Sequence, residues 1–122
     1  MSTPQEELRQ RTKQFAYRVI RLFRSLPRKP EAQVIGKQLL RSATSVAANY
    51  RAAGRARSPA EFVSKIGVVL EEADESQFWL ECLIDNGIVK GSLLADLLKE
   101  SEELVRIFSA SQQTAKTASS KT

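Results

Sequence analysis

Six carboxylates, Glu71, Glu72, Asp74, Glu75, Glu81 and Asp85, fall within one short stretch of the chain. Paired carboxylates at helical spacing can relay protons or hold a divalent cation. Both kinds of chemistry usually recruit partners that are missing here. The chain has no histidine, which excludes His-based triads, imidazole general bases and the usual zinc and di-iron ligand sets. Glu72 and Asp74 cannot share one face of a helix, so at most part of the ladder is buried. It reads first as a partner for arginines, within or between subunits, and only last as a catalytic or metal site.

The arginines are the second candidate. On the first helical segment Arg11, Arg18, Arg21, Arg24 and Arg28 lie away from the apolar seam. On the second, Lys37, Arg41, Arg51 and Arg55 form a stripe with Thr44 and Ala48 between them, and Arg57 extends it into the next loop. Guanidinium forks suit phosphates, and the same geometry suits carboxylates. Two readings follow: a solvated or salt-bridged helix face, or a surface for nucleic acid or an acidic protein. Few aromatics accompany the charge, so phosphate contact without base readout is the expected mode of the second reading.

Two single residues complete the inventory. Asn49 sits beside an apolar face, where an amide usually bonds backbone or a neighbouring side chain. Cys82 has no basic residue one turn away to lower its pKa and reads as packing.

The elements that position these groups are helices. Apolar residues recur at helical spacing in four segments, about 5–25, 32–53, 58–86 and 92–109, separated by Pro27 and Pro30, by Gly54, and by Gly87 and Gly91. Gly54 is expected as a left-handed cap, and Ser58-Pro59-Ala60-Glu61 as a capping box. The predicted seams are Leu8, Phe15, Val19, Leu22 and Leu26; then Ile35, Leu39, Ala43, Val46 and Tyr50. They continue as Phe62, Ile66, Val69, Ala73, Leu80 and Ile84, then Leu94, Leu97, Leu104 and Phe108. Small residues crowd the second helix and imply close helix approach. A second apolar group on the third helix, Val68, Phe78, Trp79 and Cys82, lies off the seam and suggests burial against another subunit. The polar residues 109–122 are expected to form a flexible tail. No stretch alternates as a strand would, so the expected fold class is all-α, an antiparallel up-down-up-down four-helix bundle.

Composition adds direction. The 122 residues carry 19 basic and 14 acidic side chains, a net charge of +5. Thirteen basic and three acidic residues lie before Ser58, so the halves carry +10 and −5. Such asymmetry marks a basic face that meets nucleic acid, an acidic partner or the chain's own acidic half. One cysteine, no apolar run long enough to span a membrane and a polar amino terminus fit a cytoplasmic protein without a membrane partner.

The stretch Gly36-Lys37-Gln38-Leu39-Leu40-Arg41-Ser42-Ala43-Thr44-Ser45-Val46-Ala47-Ala48-Asn49-Tyr50-Arg51 resembles the second-helix signature of a bacterial four-helix-bundle family. That family is named for proteins encoded in intervening sequences of 23S ribosomal RNA genes. The likeness continues through Gly54-Arg55, Ser58-Pro59-Ala60-Glu61-Phe62, Lys65-Ile66-Gly67, Leu70-Glu71-Glu72-Ala73-Asp74-Glu75 and Trp79-Leu80-Glu81. It ends near Gly87-Ile88-Val89. The resemblance implies a non-enzymatic homo-oligomer, commonly a pentameric ring, with no cofactor. Related accessory proteins of diversity-generating retroelements are similar in fold and bind nucleic acid and a reverse transcriptase. By that analogy the arginines of the first two helices would be a nucleic-acid surface. The alternative is a scaffold for a protein partner whose arginines are consumed by salt bridges.

Overall fold

Three of the four prolines open a helix, where a fixed φ is pre-organised and the missing N–H is not needed. In a computed structural model that describes residues 2–120, the elements are α1 (Pro4–Ser25), α2 (Pro30–Ala53), α3 (Pro59–Asp85) and α4 (Gly91–Ser120). No strand occurs among the described residues. The fold is an all-α four-helix bundle.

The helix ends differ in detail from expectation. The complete capping box belongs to α1: Thr3 Oγ1 accepts from the Glu6 amide at 3.1 Å, and the Glu6 carboxylate accepts from the Thr3 amide at 3.4 Å. At α3 only half of the expected box forms. Ser58 Oγ accepts from the Glu61 amide at 3.1 Å, but the Glu61 carboxylate turns to Arg57, 3.8 Å away. Gly54 is not left-handed; its φ of −63° and ψ of −14° continue the right-handed turn. Tight bonds from Arg55 N to Ala52 O and from Ala56 N to Ala53 O satisfy the last carbonyls there, so no reversal of φ is needed. The left-handed residue is Gly87, at φ +67°. Ile88 N bonds Leu83 O and Gly87 N bonds Ile84 O, which is the Schellman pattern that stops α3.

Contacts fix an antiparallel course. A Cβ on Gly36 would meet Leu26 and Phe23, which places the start of α2 against the end of α1. Arg41 and Ser42 of α2 bond Glu72, Glu75 and Ser76 of α3, whereas Gly67 of α3 lies against Gln112 of α4. Neighbours in sequence pack most extensively, and α1 meets α4 least. The core joins Phe15 and Val19, Leu39 and Val46, Val69, Leu80 and Leu83, and Leu94, Leu104 and Phe108. Burying each large side chain of this set contributes about 1.5–3 kcal/mol. Tyr50 closes one end, its ring 5.3 Å from that of Phe108.

Residues 109–120 do not form the expected flexible tail. α4 continues through them to Ser120. Their composition is polar, but it contains no proline or glycine to stop a helix. Ser111, Gln112, Ala115 and Ser119 recur at helical spacing on the half-buried side, and Ala115 and Ser119 adjoin Phe62 and the α2–α3 connection. The apolar signal vanishes there because the surface covered is itself small and partly polar.

Candidate functional site

Facing stripes on α1 and α2 leave a groove between them. α1 supplies Arg9, Gln10, Lys13, Ala16, Tyr17 and Ile20, α2 supplies Thr44, Ala47, Ala48 and Arg51, and Arg55 joins them from the turn just after α2. Spacings of three and four residues keep each stripe on one side of its helix. The small side chains of Ala16, Thr44, Ala47 and Ala48 leave a groove of 510 Å³ instead of filling it. No carboxylate among the described residues lines this groove. Arg9, Lys13, Arg51 and Arg55 are exposed, and none of them joins a salt bridge among the described residues. Tyr17 is 42% exposed, with the Lys13 ammonium 5.9 Å from its ring centre. A second hollow of 460 Å³ shares Arg9, Arg51 and Arg55 and reaches Tyr50. Burial pushes the Tyr50 hydroxyl above its ordinary pKa, and the charge of Arg9 opposes that shift.

Arg51 and Arg55 thus meet on one surface, but Arg9 and Lys13, which sequence reasoning passed over, complete it. The signal was present as Arg9, Lys13 and Tyr17, each one turn after the last. On a helical wheel Lys13 and Tyr17 fall opposite the apolar seam of α1, where polar residues ordinarily mark a solvated face.

Other expected residues lie elsewhere. Arg11 faces α4, where its Nε and Nη2 donate to the two carboxylate oxygens of Glu100, both at 2.9 Å. That hydrogen bond raises the Arg11 pKa against partial desolvation, with the charges of Glu100 and Glu103 adding to it. Arg18 and Arg11 border a hollow between α1 and α4, together with Glu7 and Glu100. Arg21, Arg24, Arg28 and Lys37 are exposed, and Arg57 lies beside Glu61.

Arg41 leaves the basic stripe for the acidic ladder. Its Nη1 donates to Glu72 at 2.9 Å and its Nη2 to Glu75, whose same oxygen accepts from Trp79 Nε1 at 3.1 Å. Desolvation would lower the Arg41 pKa, but the hydrogen bond to Glu75 and the charge of Glu72 outweigh it. Glu71, Asp74, Glu81 and Asp85 point to solvent. Among the described residues no three acidic or cysteine side chains converge in a way that could hold a metal ion.

The off-seam apolar group divides. Val68 and Phe78 are exposed, Phe78 at 54%, while Trp79 and Cys82 are half-buried. The Phe78 ring meets Trp79 edge-on at 4.9 Å. Burial pushes the Cys82 thiol up, and the charges of Asp85 and Glu81 push it further. Asn49 Nδ2 donates to Ser45 O at 2.9 Å and to Ser45 Oγ at 2.8 Å, so its amide is satisfied within its own helix.

This is a helical-bundle protein with a basic interhelical groove and an intrachain set of arginine–carboxylate pairs. It belongs to the 23S rRNA-intervening sequence protein family, whose model matches residues 5–110. It is also similar to a crystal structure of a protein of unknown function from the S23 ribosomal protein family of Bacteroides thetaiotaomicron. The TM-score is 0.83 at 30% identity, covering 91% of this chain and 99% of that one. Neither match indicates an enzymatic family. No curated protein matches the chain. Among the described residues, no helix is long and apolar enough to cross a membrane.

Proposed function

We propose that this protein binds nucleic acid through phosphate contacts in the α1–α2 groove. The observation that carries this reading is that Arg9, Lys13, Arg51 and Arg55 border one groove that no carboxylate of the described residues lines. Four cations that join no salt bridge among the described residues attract a polyanion and release its counterions on binding. The exposed Val68 and Phe78 support self-association, and a ring of copies would repeat the groove and multiply a modest single-site affinity.

Fluorescence anisotropy with a labelled single-stranded RNA and a duplex DNA, across a salt series, tests this. Affinity should fall steeply with salt. Negligible binding at low salt, or binding indifferent to salt, overturns it. A second reading, a scaffold whose arginines are structural, is favoured at two positions by the bonds of Arg11 to Glu100 and of Arg41 to Glu72 and Glu75. These positions lie outside the groove.

A further inference from the structure

We propose that the α1–α2 groove is a single-strand site in which a base stacks on Tyr17 while flanking phosphates meet Arg51, Arg55 and Arg9. This inference rests on the reading above and specifies which form of nucleic acid the groove takes. A surface that only held phosphates would need charge alone, yet this groove is amphipathic. Its cations sit at one end, and an apolar floor of Ala16, Ile20, Ala47 and Ala48 continues the groove beyond them, toward the α1–α2 connection. A large aromatic ring, Tyr17, stands at its side, 42% exposed, instead of being folded into the core. Phosphates gain nothing from the alanines. The flat apolar face of a base does gain from burial there, and a ring beside it adds stacking.

The cations are placed to serve such a ligand. Arg9 and Lys13 are one turn apart on α1, spaced about 6 Å along its axis, and Arg51 on the last turn of α2 and Arg55 in the turn that follows face them. The Lys13 ammonium lies over the Tyr17 ring, 5.9 Å from its centre, which puts a phosphate-binding cation next to the ring. A duplex keeps its bases paired and stacked inside, with phosphates outermost, and therefore could use the cations but not Tyr17. A single strand can use both.

The test compares three labelled probes of equal length by anisotropy: an oligothymidylate, an abasic oligomer that keeps the phosphates, and a DNA duplex. The oligothymidylate should bind about tenfold tighter than the abasic oligomer, the scale of one aromatic–base stack. Tyr17→Ala should bring the thymidylate-to-abasic affinity ratio to about one, and Tyr17→Phe should retain the advantage. Ala48→Leu fills the floor without touching the charge and should act like Tyr17→Ala. The Arg51→Glu/Arg55→Glu pair should weaken all three probes. Equal affinity for the thymidylate and abasic probes, a duplex bound as tightly as the single strand, or an unchanged ratio in Tyr17→Ala overturns the stacking site while leaving phosphate binding intact. Failure of all three probes to bind, or tighter binding of polyglutamate than of any of them, overturns both readings. Circular dichroism of each variant checks that the bundle is retained.

Discussion

Ser76 Oγ on α3 lies 2.8 Å from Ser42 Oγ on α2, and both side chains are fully buried. Ser42 donates to the Leu39 carbonyl at 3.2 Å, and the Ser76 proton is shared between Ser42 Oγ and the Glu72 carbonyl, also 2.8 Å away. Every buried side-chain polar atom among the described residues has a partner. The pair lets α2 and α3 approach closely without leaving a hydroxyl stranded. Ser76→Ala should cost about 1 kcal/mol, and Ser42→Ala/Ser76→Ala less than the sum of the single changes, because removing both partners leaves nothing unsatisfied. Urea unfolding at one fixed protein concentration measures this, and strict additivity would show that the hydroxyls act independently.

Gly36 and Gly54 should respond oppositely to alanine. A Cβ at Gly36 would stand 2.5 Å from Leu26 Cδ1 and 3.0 Å from Phe23 Cδ1, so these packed side chains must shift. Overpacking of this kind costs about 1–3 kcal/mol, only partly offset by better helix propensity. At Gly54 the φ is ordinary and the nearest atom is Arg51 O at 3.4 Å, so alanine should be neutral or stabilise by about 0.5 kcal/mol. Thermal unfolding of the two variants decides this, and equal shifts would contradict the geometry.

How far the sequence carries is clearest where it falls short. The seams through Phe15, Leu39, Ile66, Leu80 and Leu104 are legible because deep burial leaves a strong apolar period. Ser42, Ser76, Thr12 and Ser101 are buried as well, but as polar residues they interrupt that period and leave no comparable mark. The groove was half legible. Charge counting found Arg51 and Arg55, yet which face of α1 turns toward α2 follows from packing, and packing is what selects Arg9 and Lys13 over Arg18 and Arg21. Arg41 illustrates the same limit. It shares a stripe with Arg51 but reaches the carboxylates of α3 instead of the groove.

Cys82 should be a slow nucleophile. Burial raises its pKa, and Asp85 and Glu81 raise it further, so the thiolate is scarcer at mildly alkaline pH than for an ordinary cysteine titrating near about 8.5. Alkylation by iodoacetamide should be slower than that of glutathione, with a rate midpoint above the ordinary value. Asp85→Asn removes one negative charge and should move that midpoint down. A midpoint at or below the ordinary thiol range would mean that the surroundings of Cys82 do not disfavour the anion.

Arg41 and Arg51 should separate stability from binding. Arg41 bonds Glu72 and Glu75 while half exposed, so Arg41→Ala should cost on the order of 0.5–1 kcal/mol. Arg41→Glu should cost more, since it sets a third carboxylate against two. Neither change alters the charges lining the α1–α2 groove, so phosphate binding should shift little at constant ionic strength. Arg51 is exposed and has no salt bridge among the described residues, so Arg51→Glu should leave the unfolding midpoint nearly unchanged. It should instead weaken polyanion binding and lower the salt slope by about 1 or more, through loss of one contact and gain of a repulsive charge. The paired measurements, urea midpoint and anisotropy salt slope for each variant, place each arginine in one role. Should Arg51→Glu unfold the bundle while binding stays intact, the scaffold reading would extend to the groove itself.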